Sequence, residues 1–312
     1  MTLPFRTFVD WSREVFGGPL HRVALDAGSQ CPNRDGTKGF GGCVYCDVEG
    51  SGSGQLRRGI ELEEQLRSGL ARIARRSKPG PAVAYFQSFS NTYVAPERLE
   101  EVLRVAEPYL GREVVALSVA TRPDTLGESA LDVLERWNAR VPVWVELGLE
   151  LADDALLIEI NRLHTVADFF DAVRRAKERG LTTVGHAILG LPGDGRDGAR
   201  RTAAALAASG VDGVKVHQLM VLRKTVLEKR WKQGQVETLS IEEYVAWLAD
   251  FVERLEPRQV LHRLAGDAAR DELLAPPWSV QGSNVRERLA AELERRGTSQ
   301  GALRDLRTQS RT

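Results

Sequence analysis

The chain has 312 residues, with lysine plus arginine and aspartate plus glutamate balanced at 43 each. A formal net charge of zero withholds the global electrostatic footprint of a nucleic-acid binder, and 42% hydrophobic with 28% charged residues is the composition of an ordinary globular protein. No apolar run approaches the length of a membrane span and the N-terminus carries no apolar signal region, so the expected setting is cytoplasmic, with no membrane partner.

Residues 1–19 read as a lead-in. From 20 to about 256, short β-branched runs alternate with longer helical patterns, predicting strands over 21–28, 82–87, 114–120, 141–150, 182–190 and 212–219. Helices are predicted between them over 62–76, 97–110, 128–137, 165–180 and 198–210, with Gly180 and Gly210 at helix C-termini. Six βα units in series imply parallel strands joined by crossovers, closing into a full or partial barrel or opening into a doubly wound sheet. Either architecture puts the ligand site at the C-terminal ends of the strands. Beyond the last unit, 241–255 reads as an amphipathic helix, 258–267 as a strand running into a turn, and LLAPPW at 273–278 as irregular because of its two prolines. Composition marks the last dozen residues as a disordered end. Two stretches are locally basic: 67–78, with Arg67, Arg72, Arg75, Arg76 and Lys78 and no acid, and the tail from 284, with seven arginines to four acids. Solvated helix faces and frayed ends explain such runs more often than RNA does.

The loop after the first strand holds the chain's three cysteines, Cys31, Cys43 and Cys46, in CPNRDGTKGFGGCVYC, a C-x11-C-x2-C spacing with no fourth thiol. Three thiolates suggest a metal centre one ligand short, as in a four-iron cluster with one iron left to an exchangeable ligand. Zinc with a histidine as fourth ligand, or a disulfide with a spare thiol, are the alternatives. Other polar positions fall at predicted strand ends: Gln87 to Thr92, Thr121 to Asp124, Glu150, and Gly190 to Gly193. Lys215 and His217, two apart in the sixth strand, share a face, where they suit an anionic substrate group. His186, with Ile188, is placed facing the interior as a satisfied histidine, and His262, Arg263, Asp267 and Arg270 are candidates for adding polar groups from the C-terminal segment.

At these residues the sequence resembles radical S-adenosylmethionine enzymes of the YhcC-like group, through CPNRDGTKGFGGCVYC, YFQSFSNTY, ATRPD, VELGLE, INRLHT, ILGLPG, VDGVKVHQL, HRLAGD and LLAPPW. More distantly, Val145 to Gly193 is similar to the radical module of the Elongator catalytic subunit, which acts on wobble uridine in transfer RNA. The resemblance implies an α/β fold, a partial TIM-type (β/α)6 barrel over 20–256 with a C-terminal helical and irregular extension over 257–312. It implies that Cys31, Cys43 and Cys46 hold a [4Fe-4S] cluster whose fourth iron takes S-adenosylmethionine, reductively cleaved to a 5′-deoxyadenosyl radical. The cofactor contacts implied are Tyr45, facing the adenine; Asn91 and Thr92, toward the methionine ammonium; Thr121; Glu150, on the ribose diol; Arg162, on the methionine carboxylate; and Gly190 and Gly193, beside the adenine. Lys215 and His217 are the catalytic candidates. Implied partners are an electron donor such as flavodoxin or ferredoxin, and transfer RNA; the alternatives are a small-molecule substrate, or a non-catalytic iron-sulfur or zinc protein. This chain departs from its relatives in having Gln87, Ser88 and Ser90 where they are glycine-rich, Glu150–Leu151 where they carry glutamine and a small polar residue, and Leu163 where glycine is common.

Overall fold

A computed structural model describes residues 3–47, 54–268, 270–280 and 284–304. Seven strands form one parallel sheet in the order β1 (His21–Leu25), β2 (Ala82–Phe86), β3 (Val114–Thr121), β4 (Val143–Glu150), β5 (Thr182–Leu189), β6 (Gly213–Gln218) and β8 (Val260–Arg263). The strand anticipated over 258–267 thus joins the sheet of the six βα units as its seventh member, because Val260 to Arg263 pair in parallel with Gly213 to Lys215. Between them β7 (Val221–Leu222) pairs antiparallel with β9 (Leu273–Ala275), so LLAPPW, expected to be irregular, begins as a strand. Its irregularity starts only at Pro276.

Side-chain alternation along β4 explains the curl. Val143, Val145, Leu147 and Leu149 join the outer core, packed with helices α3 (Pro96–Arg104), α4 (Glu128–Asn138) and α6 (Val166–Glu178). The alternate residues Trp144, Glu146, Gly148 and Glu150 face the inside, where the last three line a cavity. The same parity holds in β6: Val214 and Val216 pack outward, Lys215 and His217 inward. A sheet with an apolar outside under helices and a polar inside is a partial barrel.

Its bottom, at the N-terminal ends of the strands, is plugged by α1 (Phe8–Phe16), which the sequence pattern left as lead-in. Phe8 packs with inward-facing Val83, Ala116, Trp144 and Val260, and its ring lies 6.0 Å from Trp144 and 4.8 Å from His262. Arg22 stacks over Phe8 at 4.0 Å. With the lower end closed, access is from the upper end, where the βα loops lie.

Helix α2 (Leu62–Ala74) runs down the outside of β1. Its basic C-terminal half therefore ends at the bottom, where Arg76 meets His21 at the start of β1, 3.3 Å away. The predicted helix over 97–110 breaks after Arg104 into a 3-10 turn around Pro108. On the opposite side α7 (Gly195–Ser209), α9 (Ile241–Val252) and α10 (Val285–Arg296) pack together around Asp250, which accepts from Arg196, Arg200 and Arg296 at 2.7 to 2.9 Å. Of the dozen C-terminal residues expected to be disordered, 305–312 lie outside the described residues. Among the described residues no helix is long and apolar enough to cross a membrane.

Candidate cofactor and substrate cavity

The cysteine loop follows β1 and is held in shape by its own backbone. Arg34 N–H donates to Cys31 O at 2.8 Å, Gly42 N–H to Asn33 O at 2.9 Å, and Cys46 N–H to Cys43 O at 3.0 Å, closing the turn that brings the last two cysteines together. Fully buried Asn33 clasps the loop to the INRLHT turn: its amide donates to the carbonyls of Asn161 and Arg162 and lies 3.8 Å from Cys43 Sγ. In return Asn161 donates to the carbonyls of Phe40 and Gly42 at 3.0 and 2.8 Å. Asn161 and Leu163 both adopt left-handed φ, 56° and 59°, on either side of Arg162, which accounts for glycine suiting the Leu163 position. Buried Arg122 forks onto Asp124 at 2.9 and 2.8 Å and donates to Arg162 O at 2.7 Å; this pair braces the turn.

All three cysteines line one cavity of about 350 Å³ at the open end of the barrel. Among the described residues no three histidine, cysteine, aspartate or glutamate side chains converge as ligands of a single ion. Arg34 Nη2 donates toward Cys46 Sγ at 3.3 Å and Arg162 Nη1 toward Cys43 Sγ at 3.9 Å. N–H donors aimed at sulfur suit ligand thiolates, whose negative charge they offset. As a free thiol Cys46 is pushed up to about 12 by burial, and next by Cys43.

Five of the anticipated cofactor and catalytic positions share that cavity with Tyr45: Thr121, Glu150, Arg162, Lys215 and His217. Arg162 Nη2 sits 3.3 Å from Glu150 Oε1 and donates to Gly148 O at 3.1 Å. Gly148 leaves room for this pair, since a Cβ would stand 2.2 Å from Glu150 Oε1 and 2.5 Å from Arg162 Nη2 and would push one of them aside. Glu150 itself takes φ 71° where β4 breaks register with β5, a strained conformation of the kind that clusters at functional sites. Two buried polar atoms on this wall, Tyr45 Oη and Arg162 Nε, have no protein partner; such atoms fit a polar ligand such as the amino-acid and ribose portions of S-adenosylmethionine.

Four anticipated contacts are not on the cavity wall. Asn91 spends its amide on the carbonyls of Phe86, Ser88 and Ala120 and accepts from Ser29, fastening the loop after β2 to its neighbours. Thr92 Oγ1 bonds Thr121 Oγ1 at 2.6 Å and Thr125 O at 2.9 Å. Gly190 and Gly193 have φ of 90° and 81°, and their absent side chains face Leu239 and Leu156. Turn geometry is what these glycines supply.

A buried cluster lies below, joining Lys215 and His186, both anticipated on the inward face, to Glu146, which the sequence reading did not single out. Glu146 accepts from Ser118 Oγ at 2.6 Å, pairs with Lys215 Nζ, and bonds His186 Nε2 at 2.8 Å. Lys215 Nζ also lies 4.1 Å above the Tyr85 ring. Burial opposes ionisation of Glu146, but Lys215 first, then His186 and Arg22, hold its carboxyl well below the usual range. Burial pushes the Lys215 ammonium down to about 7 against the pull of Glu146, with Arg22 and Arg263 adding to it. His186 and His217 are also lowered, first by burial, which favours the uncharged ring. The available signal was β4 alternation, since two and four residues before Glu150 stand Gly148 and Glu146.

Comparison with known proteins identifies the family and the fold. The model of the Radical SAM superfamily matches residues 31–206 and that of the Radical_SAM C-terminal domain 211–295. YtqA of Bacillus subtilis (strain 168) is 38% identical over 293 residues, 93% of this chain and 89% of its own. YhcC of Escherichia coli (strain K12) is 34% identical over 264 residues, 84% of each. A tRNA uridine(34) acetyltransferase of Dehalococcoides mccartyi is 31% identical over 147 residues, 44% of this chain and 30% of that protein. The solved archaeal Methanocaldococcus infernus Elp3 with an N-terminal deletion has the same fold, with a TM-score of 0.70 at 18% identity over 90% of this chain, which spans only 64% of that one. The cysteine-lined cavity at the top of a parallel half-barrel and these matches together make the chain a member of the radical SAM superfamily, whose cofactors are a [4Fe-4S] cluster and S-adenosylmethionine.

Proposed function

We propose that this chain is a cytoplasmic enzyme in which Cys31, Cys43 and Cys46 hold the cluster, and that it modifies a transfer RNA base, at the side chain of wobble uridine. The observation that carries the reading is one shared cavity: the three cysteines, the Glu150–Arg162 pair and the Lys215–His217 face all line it. Bound there, cluster and S-adenosylmethionine supply hydrogen-atom abstraction through one-electron cleavage of the sulfonium, with flavodoxin or ferredoxin as the class of electron donor. The protein's part is to bind, orient and shield. Glu150 accepts from ribose hydroxyls, Arg162 lies between Glu150 and Cys43 and offers its fork to the methionine carboxylate, and Tyr45 and Thr121 wall the cofactor. Asn91 and Thr92 act one layer behind, and Gly190 and Gly193 shape the loop after β5.

The transfer RNA substrate is supported by the partial likeness to a tRNA uridine(34) acetyltransferase and by a basic rim. The basic stretch at 67–78 ends at the wrong end of the barrel, but residues 223–232 carry Arg223, Lys224, Lys229, Arg230 and Lys232 against Glu228 alone. Leu227 N–H, in α8 (Val226–Lys232), bonds Val44 O at 2.9 Å, placing this segment against the cysteine loop. Such a rim suits phosphate contacts that position a base at the cavity without reading sequence.

The test is anaerobic cluster reconstitution and reduction with S-adenosylmethionine present. Wild-type protein should form 5′-deoxyadenosine and Cys43→Ala should lose both iron and product; no product from a fully loaded wild type overturns the reading. Nucleoside profiles of transfer RNA from cells with and without the gene test the substrate. Unchanged profiles favour a small molecule, the reading that the enclosed polar floor around Glu146 supports.

A further inference from the structure

At the inner end of the cavity one cation stands outside the ion pairs formed among the described residues. Glu146 is the carboxylate at the centre of this cluster, with Lys215 in contact and Arg22 behind it, while Arg263 from β8 acts on Lys215. Arg22 is committed to His262, 3.1 Å away, and to the Phe8 ring, and Lys215 is committed to Glu146. Arg263 lines the cavity yet forms no ion pair among the described residues, not even with Asp267 or Glu272, which line the same cavity. His217 also lines it, makes no hydrogen bond among the described residues, and is closely approached by Gly266, where a Cβ would come within 2.7 Å of its Nδ1. Gln87 brings an amide from the end of β2. Three side chains able to donate, two of them from adjacent strands β6 and β8, thus project toward a region where one positive charge lacks a partner. Arg263 is exposed and unpaired, so its guanidinium is free to receive a ligand, and an anion between Arg263 and His217 would complete its pairing through charge-assisted hydrogen bonds.

We propose that Arg263 and His217, with Lys215 beneath them, form a subsite for an anionic group, carboxylate or phosphate, carried by the substrate. The inference rests on this cavity being the reaction site, and it gives the substrate a class: an anionic substituent at the inner end, with the remainder against Ile188, Leu219 and Met220. Lys215 acts as a positioning residue, since its Nζ is held by Glu146 and its charge attracts the anion without leaving that pair. Asp267 is the opposing element, a carboxylate on the same wall that disfavours anions and so helps to select for a ligand reaching Arg263.

Equilibrium dialysis of the cluster-loaded full chain, with S-adenosylmethionine present, tests this with radiolabelled acetate and inorganic phosphate as separate probes. Saturable binding of at least one probe is expected, weakened about tenfold or more in Arg263→Met, weakened in His217→Gln, and tightened in Asp267→Asn. Arg263 is exposed, so its replacement leaves the fold intact, and circular dichroism on each variant confirms it. Acetate alone binding assigns a carboxylate, and phosphate alone a phosphoryl group. No saturable binding of either, or binding unchanged in both Arg263→Met and His217→Gln, overturns the subsite. Cleavage of S-adenosylmethionine measured on the same preparation separates the two claims: anion binding without cleavage removes the radical reading alone, and cleavage without anion binding removes the subsite alone.

Discussion

Replacing Glu146 by glutamine keeps the shape of the side chain and removes its charge. In the wild type the carboxylate is fully buried, Lys215 is 3% exposed, and Ser118 and His186 complete the hydrogen bonding. Removing one partner of such a pair leaves the other buried beside Arg22 and Arg263, and costs about 3–5 kcal/mol. A chain of this length loses about 0.65 kcal/mol of stability per degree near its midpoint, so the loss corresponds to a fall in Tm of about 5–8 °C. Lys215→Met should cost a similar amount by stranding Glu146. The double variant should not lose the sum, about 6–10 kcal/mol, but about 4 kcal/mol or less, because two uncharged groups of similar volume need no partner. Chemical denaturation of the four proteins gives the coupling energy. Additivity within about 0.5 kcal/mol would refute the reasoning, since the pair would then contribute no mutual stabilisation.

Three other substitutions test separate parts of the molecule. Asn33→Ala leaves the carbonyls of Asn161 and Arg162 without their donor; a loss of about 1–3 kcal/mol and faster release of iron by a chelator are expected. Asp194 is nearly buried, both its oxygens lack partners, and burial raises its carboxyl to about 6. An acid raised from about 4 lets the folded state bind more protons between these values, so stability falls as pH rises through 4 to 6 and the penalty is complete above. Asp194→Asn should therefore raise Tm at pH 7.5, by up to about 3 kcal/mol of stability, with the gain vanishing below pH 4; a pH-independent gain contradicts the assignment. Asp250→Ala removes the carboxylate shared by Arg196, Arg200 and Arg296 and should cost about 3–5 kcal/mol, with hydrogen exchange rising first in α10.

What could be read from the sequence was whatever depends on neighbours along the chain. Strand positions followed from β-branched runs, and the inward face of β6 from the spacing of Lys215 and His217. The direction of a glycine's missing side chain did not follow, because it depends on φ: at Gly190 and Gly193 it points to Leu239 and Leu156. Asn91 and Thr92 sit in the right loop, yet which polar atoms remain free after the loop has satisfied itself is decided by Ser29, Ala120 and Thr125 from other segments. The plug made by α1 was illegible for the same reason, since Trp144 and His262 reach Phe8 only once the sheet has curled. Asn33 lay in plain view between two cysteine motifs, but its function is a contact made 128 residues away.

The two ends of the cavity differ in how their charges are arranged, and the difference bears on how one scaffold separates making a radical from using it. Beside the cysteines each cation is anchored, Arg162 to Glu150 and Gly148, Arg122 to Asp124, and Arg34 to the thiol and carbonyl of Cys46, with single N–H groups such as Arg162 Nε left for a ligand. Strained Glu150 and the left-handed residues around Arg162 fix those commitments, so a cofactor meets a preorganised wall whose donors need not move. At the inner end Arg263 and His217 are not committed, and only Lys215 is, to Glu146. A site that must accept a substrate and release its product gains from groups whose pairing the ligand completes. A site that must hold a cluster gains from groups already paired.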